Sequence, residues 1–144
     1  MIRSVVVALV LAVFAGGVAG AASPAPSFQV KLLPQHGSKI GGEASIVHDS
    51  APRAVVVTIV LDGVFIPENE YPAGVYEGSC SALSSPPAYK LNPVKGGRSV
   101  TNLHVKQHMA ETYSIAVFDT AGTKTTSCGT LPAMKHDETK HDAK

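Results

Sequence analysis

Two cysteines, six histidines and a scatter of carboxylates and tyrosines are the chemistry-bearing residues of this 144-residue chain. Cys80 ends the run Glu77-Gly78-Ser79-Cys80, and Cys128 opens Cys128-Gly129-Thr130-Leu131-Pro132. Two thiols in a chain that carries an export signal read as one structural disulfide. His104 and His108 stand four apart. On a helix they would share a face and could hold zinc. The surrounding pattern is a strand followed by a turn, where that spacing does not make them converge, so they read as surface histidines. His36 and His48 extend the same weak metal set. His136 and His141 lie among Asp137, Glu138 and Asp142 and offer copper or zinc a loose site, although a solvated tail is the simpler reading.

Carboxylates in pairs can do acid–base work. Asp62, Glu68 and Glu70 fall close together in sequence, but nothing positions them, so they read as solvated charges. No serine sits in a Gly-x-Ser-x-Gly elbow. Gly41-Gly42 and Gly96-Gly97 precede no helix, so neither is a phosphate cradle. Tyr71, Tyr76 and Tyr89 flank Cys80, with Glu77 beside them. Tyrosines grouped on a loop make binding surfaces because each offers a large rigid contact area. These four residues are the candidate surface; the plain alternative is a small core beneath the loop.

The ends set the compartment. Arg3 is the only charge before Lys31. Between them runs an apolar stretch from Val5 to Phe14, then small residues to Ala22 with an A-x-A-like Ala19-Gly20-Ala21. This is the pattern of a cleaved signal peptide over 1–22, leaving no stable membrane anchor. Residues 23–27 read as a linker. Residues 133–144 hold no large apolar residue besides Met134 and read as a disordered charged tail. The 12 basic and 11 acidic residues nearly balance, without a basic run and without Trp. That composition gives no footprint for nucleic acid.

The body, 28–132, is one domain of ordinary size. It has no long stripe of helical period. Short runs rich in β-branched residues recur about every ten residues, cut by Gly, Pro, Asn and Asp: 28–33, 41–47, 54–61, 99–105 and 112–119. That spacing predicts an all-β sandwich or barrel. The run 54–61 is apolar at almost every position and reads as buried on both faces. Residues 62–98 are proline-rich and read as a long connection that Cys80–Cys128 would staple to the last strand.

Three segments carry a family resemblance: Leu33 to Ala44, Tyr71 to Cys80, and Tyr113 to Pro132. In order and in both cysteines they resemble the periplasmic copper/zinc superoxide dismutase-like proteins. The resemblance implies a Greek-key β-sandwich or flattened barrel with one disulfide. In that family the segment before the first cysteine reads His-x-His-Glu-x-Gly-x-Cys or His-x-His-Glu-Gly-x-Cys, and its two histidines ligate copper. Alternate residues of one strand point the same way and can share one ion. Here those positions are Gly74 and Tyr76. Glycine has no ligand atom, and a phenol with a pKa of about 10 is a poor copper ligand at neutral pH. The expectation is a secreted or periplasmic, non-catalytic module without cofactor, serving an unspecified protein or small ligand. The alternatives are a copper- or zinc-binding protein using the remaining histidines and, last, an active dismutase.

Overall fold

The computed structural model describes Gly20, residues 27–106 and residues 112–132. Most of the expected signal peptide and linker, His108, His136, His141 and the expected charged tail over 133–144 lie outside the described residues. Among the described residues there is no helix. There are ten strands: β1 (Ser27–Pro34), β2 (Ile40–His48), β3 (Ala54–Gly63), β4 (Glu70–Tyr71), β5 (Ala73–Glu77), β6 (Tyr89–Lys90), β7 (Val94–Lys95), β8 (Arg98–His104), β9 (Tyr113–Phe118) and β10 (Thr125–Thr130).

All strand pairs are antiparallel, and the spatial order is β4-β7-β8-β3-β2-β1-β10-β9-β5-β6. β1 serves two neighbours. Ser27–Leu32 pairs with β2, while Leu33 and Pro34 pair with Cys128 and Ser127 of β10. This change of partner curls the sheet into a half-barrel with two layers, β4-β7-β8-β3-β2-β1 and β1-β10-β9-β5-β6. The two ends of the sheet approach each other, because only Pro72 separates β4 from β5. Side chains stitch the seam. The Asn92 N–H donates to the Thr101 hydroxyl (2.8 Å), Asn92 Nδ2 donates to the Val100 carbonyl (2.8 Å), and the Ser99 hydroxyl donates to the Asn92 carbonyl (2.7 Å). Farther down, the Lys106 N–H donates to the Tyr89 hydroxyl (2.9 Å).

Strand alternation builds the core. Leu32, Ile59, Ile115, Val94 and Val117 point inward and are at most 1% exposed. Burying each such side chain contributes about 1.5–3 kcal/mol relative to leaving it in water. The sequence expectation for 54–61 needs correction. Val55, Val57, Ile59 and Leu61 are buried, but Val56 and Thr58 are half-buried and Val60 is exposed. Nothing among the described residues covers the outer face of this layer, so its apolar run is a one-sided strand. The proline-rich 62–98 is also not one long connection, since it holds β4 through β7 and the first residue of β8.

One interior group is mismatched. Ser127 is fully buried, and its Oγ has no hydrogen-bond partner among the described residues. A buried unpaired hydroxyl costs about 1–3 kcal/mol in lost hydration. Ser127→Ala is therefore expected to leave stability unchanged or raise it by about 1 kcal/mol in urea denaturation. A loss above about 1 kcal/mol would mean that the hydroxyl has a partner.

Candidate functional site

β5 positions Gly74 and Tyr76. Ala73 and Val75 face the core, so Gly74 and Tyr76 face outward from the second layer. In register, Gly74 lies opposite Ala116 and Tyr76 opposite Ser114. Across β9, Ala116 is paired with Cys128 and Ser114 with Thr130. An outward patch on a sandwich is normally wet. Here Ser114, Ala116 and Cys128 are at most 1% exposed, because the segment 78–88 lies over them.

The covalent anchor of that segment is the disulfide Cys80–Cys128, with Cα atoms 5.8 Å apart. The Ser114 hydroxyl donates to the Gly78 carbonyl at 2.7 Å and lies 3.1 Å from the Thr130 hydroxyl. The Ser84 N–H returns to the Glu77 carbonyl at 2.9 Å and closes the loop on itself. Gly78 makes the turn at φ +97°, where a Cβ would lie 2.3 Å from the Ala82 carbonyl oxygen. Only glycine fits that turn.

Under this cover the Tyr76 ring lies back along its own strand. A Cβ on Gly74 would meet Tyr76 Cε2 at 2.9 Å and Pro87 Cβ at 3.2 Å. The ring also packs on Phe118, with centroids 5.5 Å apart. At positions 74 and 76 the strand thus carries an aromatic ring over a bare backbone. Burial pushes the Tyr76 phenol above its ordinary pKa, because burial disfavours the charged phenolate. The phenol is therefore neutral at neutral pH.

The sign for stability follows from proton linkage. Above the ordinary tyrosine pKa of about 10, the folded protein keeps the Tyr76 proton longer than the unfolded chain does. Tyr76 then lowers stability as pH climbs through that range, and it leaves stability unchanged below it. Phenolate absorbance in a titration is expected to include a late component from Tyr76, which Tyr76→Phe removes. If the late part of the titration is the same size in Tyr76→Phe as in the parent, the assignment fails.

The four residues expected to form one binding surface do not do so. Tyr71 is buried inside the barrel, where its hydroxyl accepts the Ile66 N–H at 2.9 Å and its ring meets Phe65 edge-on. Pro72 and Ala73 follow it directly into β5, so its side chain has to face the core. Tyr89 lies opposite the inward-facing Val75 and is half-buried against the core, on the opposite face of the layer from Tyr76. Only Tyr76 remains on the outer side; Glu77, next to it in the strand and opposite the inward-facing Tyr113, is exposed at the end of β5 on the other face.

The three described histidines are dispersed. His36 is exposed in the β1–β2 turn, with Nδ1 3.2 Å from the Thr125 carbonyl. His48 is half-buried, edge-on to Phe28, and His104 is exposed on the outer side of β8. Among the described residues no three His, Cys, Asp or Glu side chains group closely enough to hold a metal ion. Glu70 is paired with Lys95 (3.1 Å), and Asp62 lies on the far layer. Sequence reasoning missed the covering loop, the Tyr76–Phe118 contact and the structural role of Ser114. The one signal for them was the outward alternation Ser114, Ala116, Phe118, whose small residues leave room for a second layer. Comparison with known protein families, curated proteins and solved structures finds no match for this chain.

Proposed function

We propose that this protein is a non-catalytic, superoxide dismutase-like module of an oxidising extracytoplasmic compartment, acting by binding or as a structural part. The observation that carries the reading is the exchange on β5. The Tyr76 ring fills the space beside Gly74 that a pair of ligating imidazoles would need. The strand order supports the fold reading. β1, β2 and β3 follow as hairpins, while β8 joins β3 and β10 returns beside β1, non-consecutive neighbours of the kind that long Greek-key connections make. The disulfide supports the compartment, since such bonds persist where thiols are oxidised.

The test is a superoxide-removal assay on copper-loaded protein, with the metal content of untagged protein measured in parallel. The expected rate equals or falls below that of free copper, with metal far below one ion per chain. A rate near the diffusional range of about 10⁸–10⁹ M⁻¹s⁻¹ would overturn the reading. Stoichiometric copper or zinc in the untagged protein would favour the metal-binding alternative.

A further inference from the structure

The curled sheet leaves one stretch of edge open, along β8. Backbone bonds fix which residues of β8 face it. The Val105 N–H donates to the Arg53 carbonyl (2.8 Å), and the Leu61 N–H donates to the Gly97 carbonyl (2.8 Å). Both bonds continue the β3–β8 register, in which Ala54 stands opposite His104 and Val60 opposite Arg98. In an antiparallel ladder, bonded pairs alternate with unbonded ones. Ser99, Thr101 and Leu103 therefore bond to β3, while Val100, Asn102 and His104 turn their N–H and C=O groups away from it. Side-chain bonds agree with this phase. The Val100 carbonyl accepts from Asn92 Nδ2, and the Lys106 N–H donates to the Tyr89 hydroxyl. β7 meets β8 at Lys95 and Arg98 and does not extend further.

Between the Asn92 and Tyr89 stitches, no strand among the described residues pairs with this edge. The Val100 N–H and both backbone groups of Asn102 and His104 thus have no strand partner there. Natural sheets blunt such edges with Lys, Pro or a bulge. The run Val100-Thr101-Asn102-Leu103-His104 has none of the three, and its register against β3 is unbroken. The two faces beside the edge differ. Val100, Asn102 and His104 are exposed on the outer face. Leu103 and Val105 face inward but are only half-buried, as is Tyr89, whose hydroxyl reaches Lys106 from the other layer. The apolar cover is therefore incomplete along the inner side of the open edge.

We propose that the Val100–His104 edge of β8 binds an extended segment of a partner protein by strand addition, with the partner's backbone pairing to Val100, Asn102 and His104. Backbone donors and acceptors that recur every second residue, about 6.7 Å apart, match one ligand chemistry, the backbone of another β-strand. The inner side asks that segment for apolar side chains at alternate positions, to complete the cover over Leu103, Val105 and Tyr89. The outer side asks for polar ones beside Asn102 and His104. The two stitches limit the paired length to about five residues, about 17 Å. So short a contact binds modestly, because the segment must be ordered as it docks. Strand addition rests on the binding role proposed above and names its partner class. It does not depend on what stands at positions 74 and 76, so the two readings fail separately.

The test is a titration of the untagged, oxidised protein with peptides of about seven residues that alternate valine or isoleucine with threonine and lysine, followed by amide NMR. The expected result is a dissociation constant between about 10 μM and about 1 mM. Hydrogen exchange should slow at Val100, Asn102 and His104 and change little at Thr101 and Leu103. A strand shows its partner every second amide. N-methylating one alternate set of peptide amides should therefore weaken binding about tenfold or more, and methylating the other set should not. Asn102→Pro should weaken binding as much, since it removes an edge N–H and breaks no bond to β3, a place where strands tolerate proline. If thermal melting shows that Asn102→Pro is unfolded, the two methylated peptides decide alone. No binding by any of the peptides at about 1 mM overturns the proposal. Binding that survives both methylations overturns it as well, since side chains would then be the contact. Slow exchange at Asn102 and His104 in the free chain would show the edge filled by the chain itself. Self-association abolished by Asn102→Pro would show it filled by a second copy, and either result overturns the proposal.

Discussion

Replacing both cysteines, Cys80→Ala together with Cys128→Ala, is expected to cost about 3 kcal/mol of stability and to lower the melting temperature by more than about 10 °C. The bond closes a loop across a sequence separation of 48 residues. Chain-entropy reasoning gives about 4 kcal/mol for a loop of that size, and real disulfides deliver somewhat less. The position of the bond adds a local effect. It holds the 78–88 segment over Ser114, Ala116 and Cys128, which are otherwise outward-facing. Without it, the remaining ties include the Ser114–Gly78 hydrogen bond and the packing of Pro87 near Gly74. A single hydrogen bond contributes about 1 kcal/mol net. The loop should therefore open more often, and the late-titrating Tyr76 should move back toward the ordinary tyrosine value. Urea denaturation and phenolate titration of the double variant check both effects. Parent-like stability with an unmoved Tyr76 would show that packing, not sulfur, holds the loop.

The strands legible in the sequence are those whose side chains alternate over five or more residues. β1, β2, β3, β8 and β9 stand within one or two residues of the runs read from the sequence. The illegible strands are short. β4, β6 and β7 have two residues each, too few for any period to register. β5 reads Ala-Gly-Val-Tyr-Glu, and a strand with glycine at its second position announces itself weakly. It exists because β9 pairs with it along its whole length. The disulfide was legible because two cysteines leave one intramolecular pairing. The tyrosine surface was not, because sequence distance from Cys80 says nothing of facing. One proline between β4 and β5 sends Tyr71 inward, and alternation sends Tyr76 outward. The solvent exposure of Val60 was hidden for a related reason. An apolar run reads as two buried faces, whereas what covers the second face is decided by the rest of the chain.

Gly74→Ala is expected to destabilise the protein by about 1–3 kcal/mol, the usual range for overpacking, although it adds one methyl group to a strand. The new Cβ would stand 2.9 Å from Tyr76 Cε2 and 3.2 Å from Pro87 Cβ. Swinging the ring away would disturb its packing on Phe118, whose ring centroid lies 5.5 Å away. Tyr76→Ala alone should cost about 1–2 kcal/mol, less than a fully buried aromatic, since the ring is half-buried. In the double variant the ring is gone and only the Pro87 contact still crowds the methyl. The two costs should therefore fall short of adding, with a coupling of about 1 kcal/mol or more in a double-mutant cycle. Strict additivity would mean that the ring does not sit on Gly74. The cycle also bears on function, because an imidazole at position 74 would meet the same ring. If the coupling is found, β5 can carry either this aromatic packing or side-by-side ligands at 74 and 76. The resident tyrosine then holds it in the packed, ligand-free arrangement.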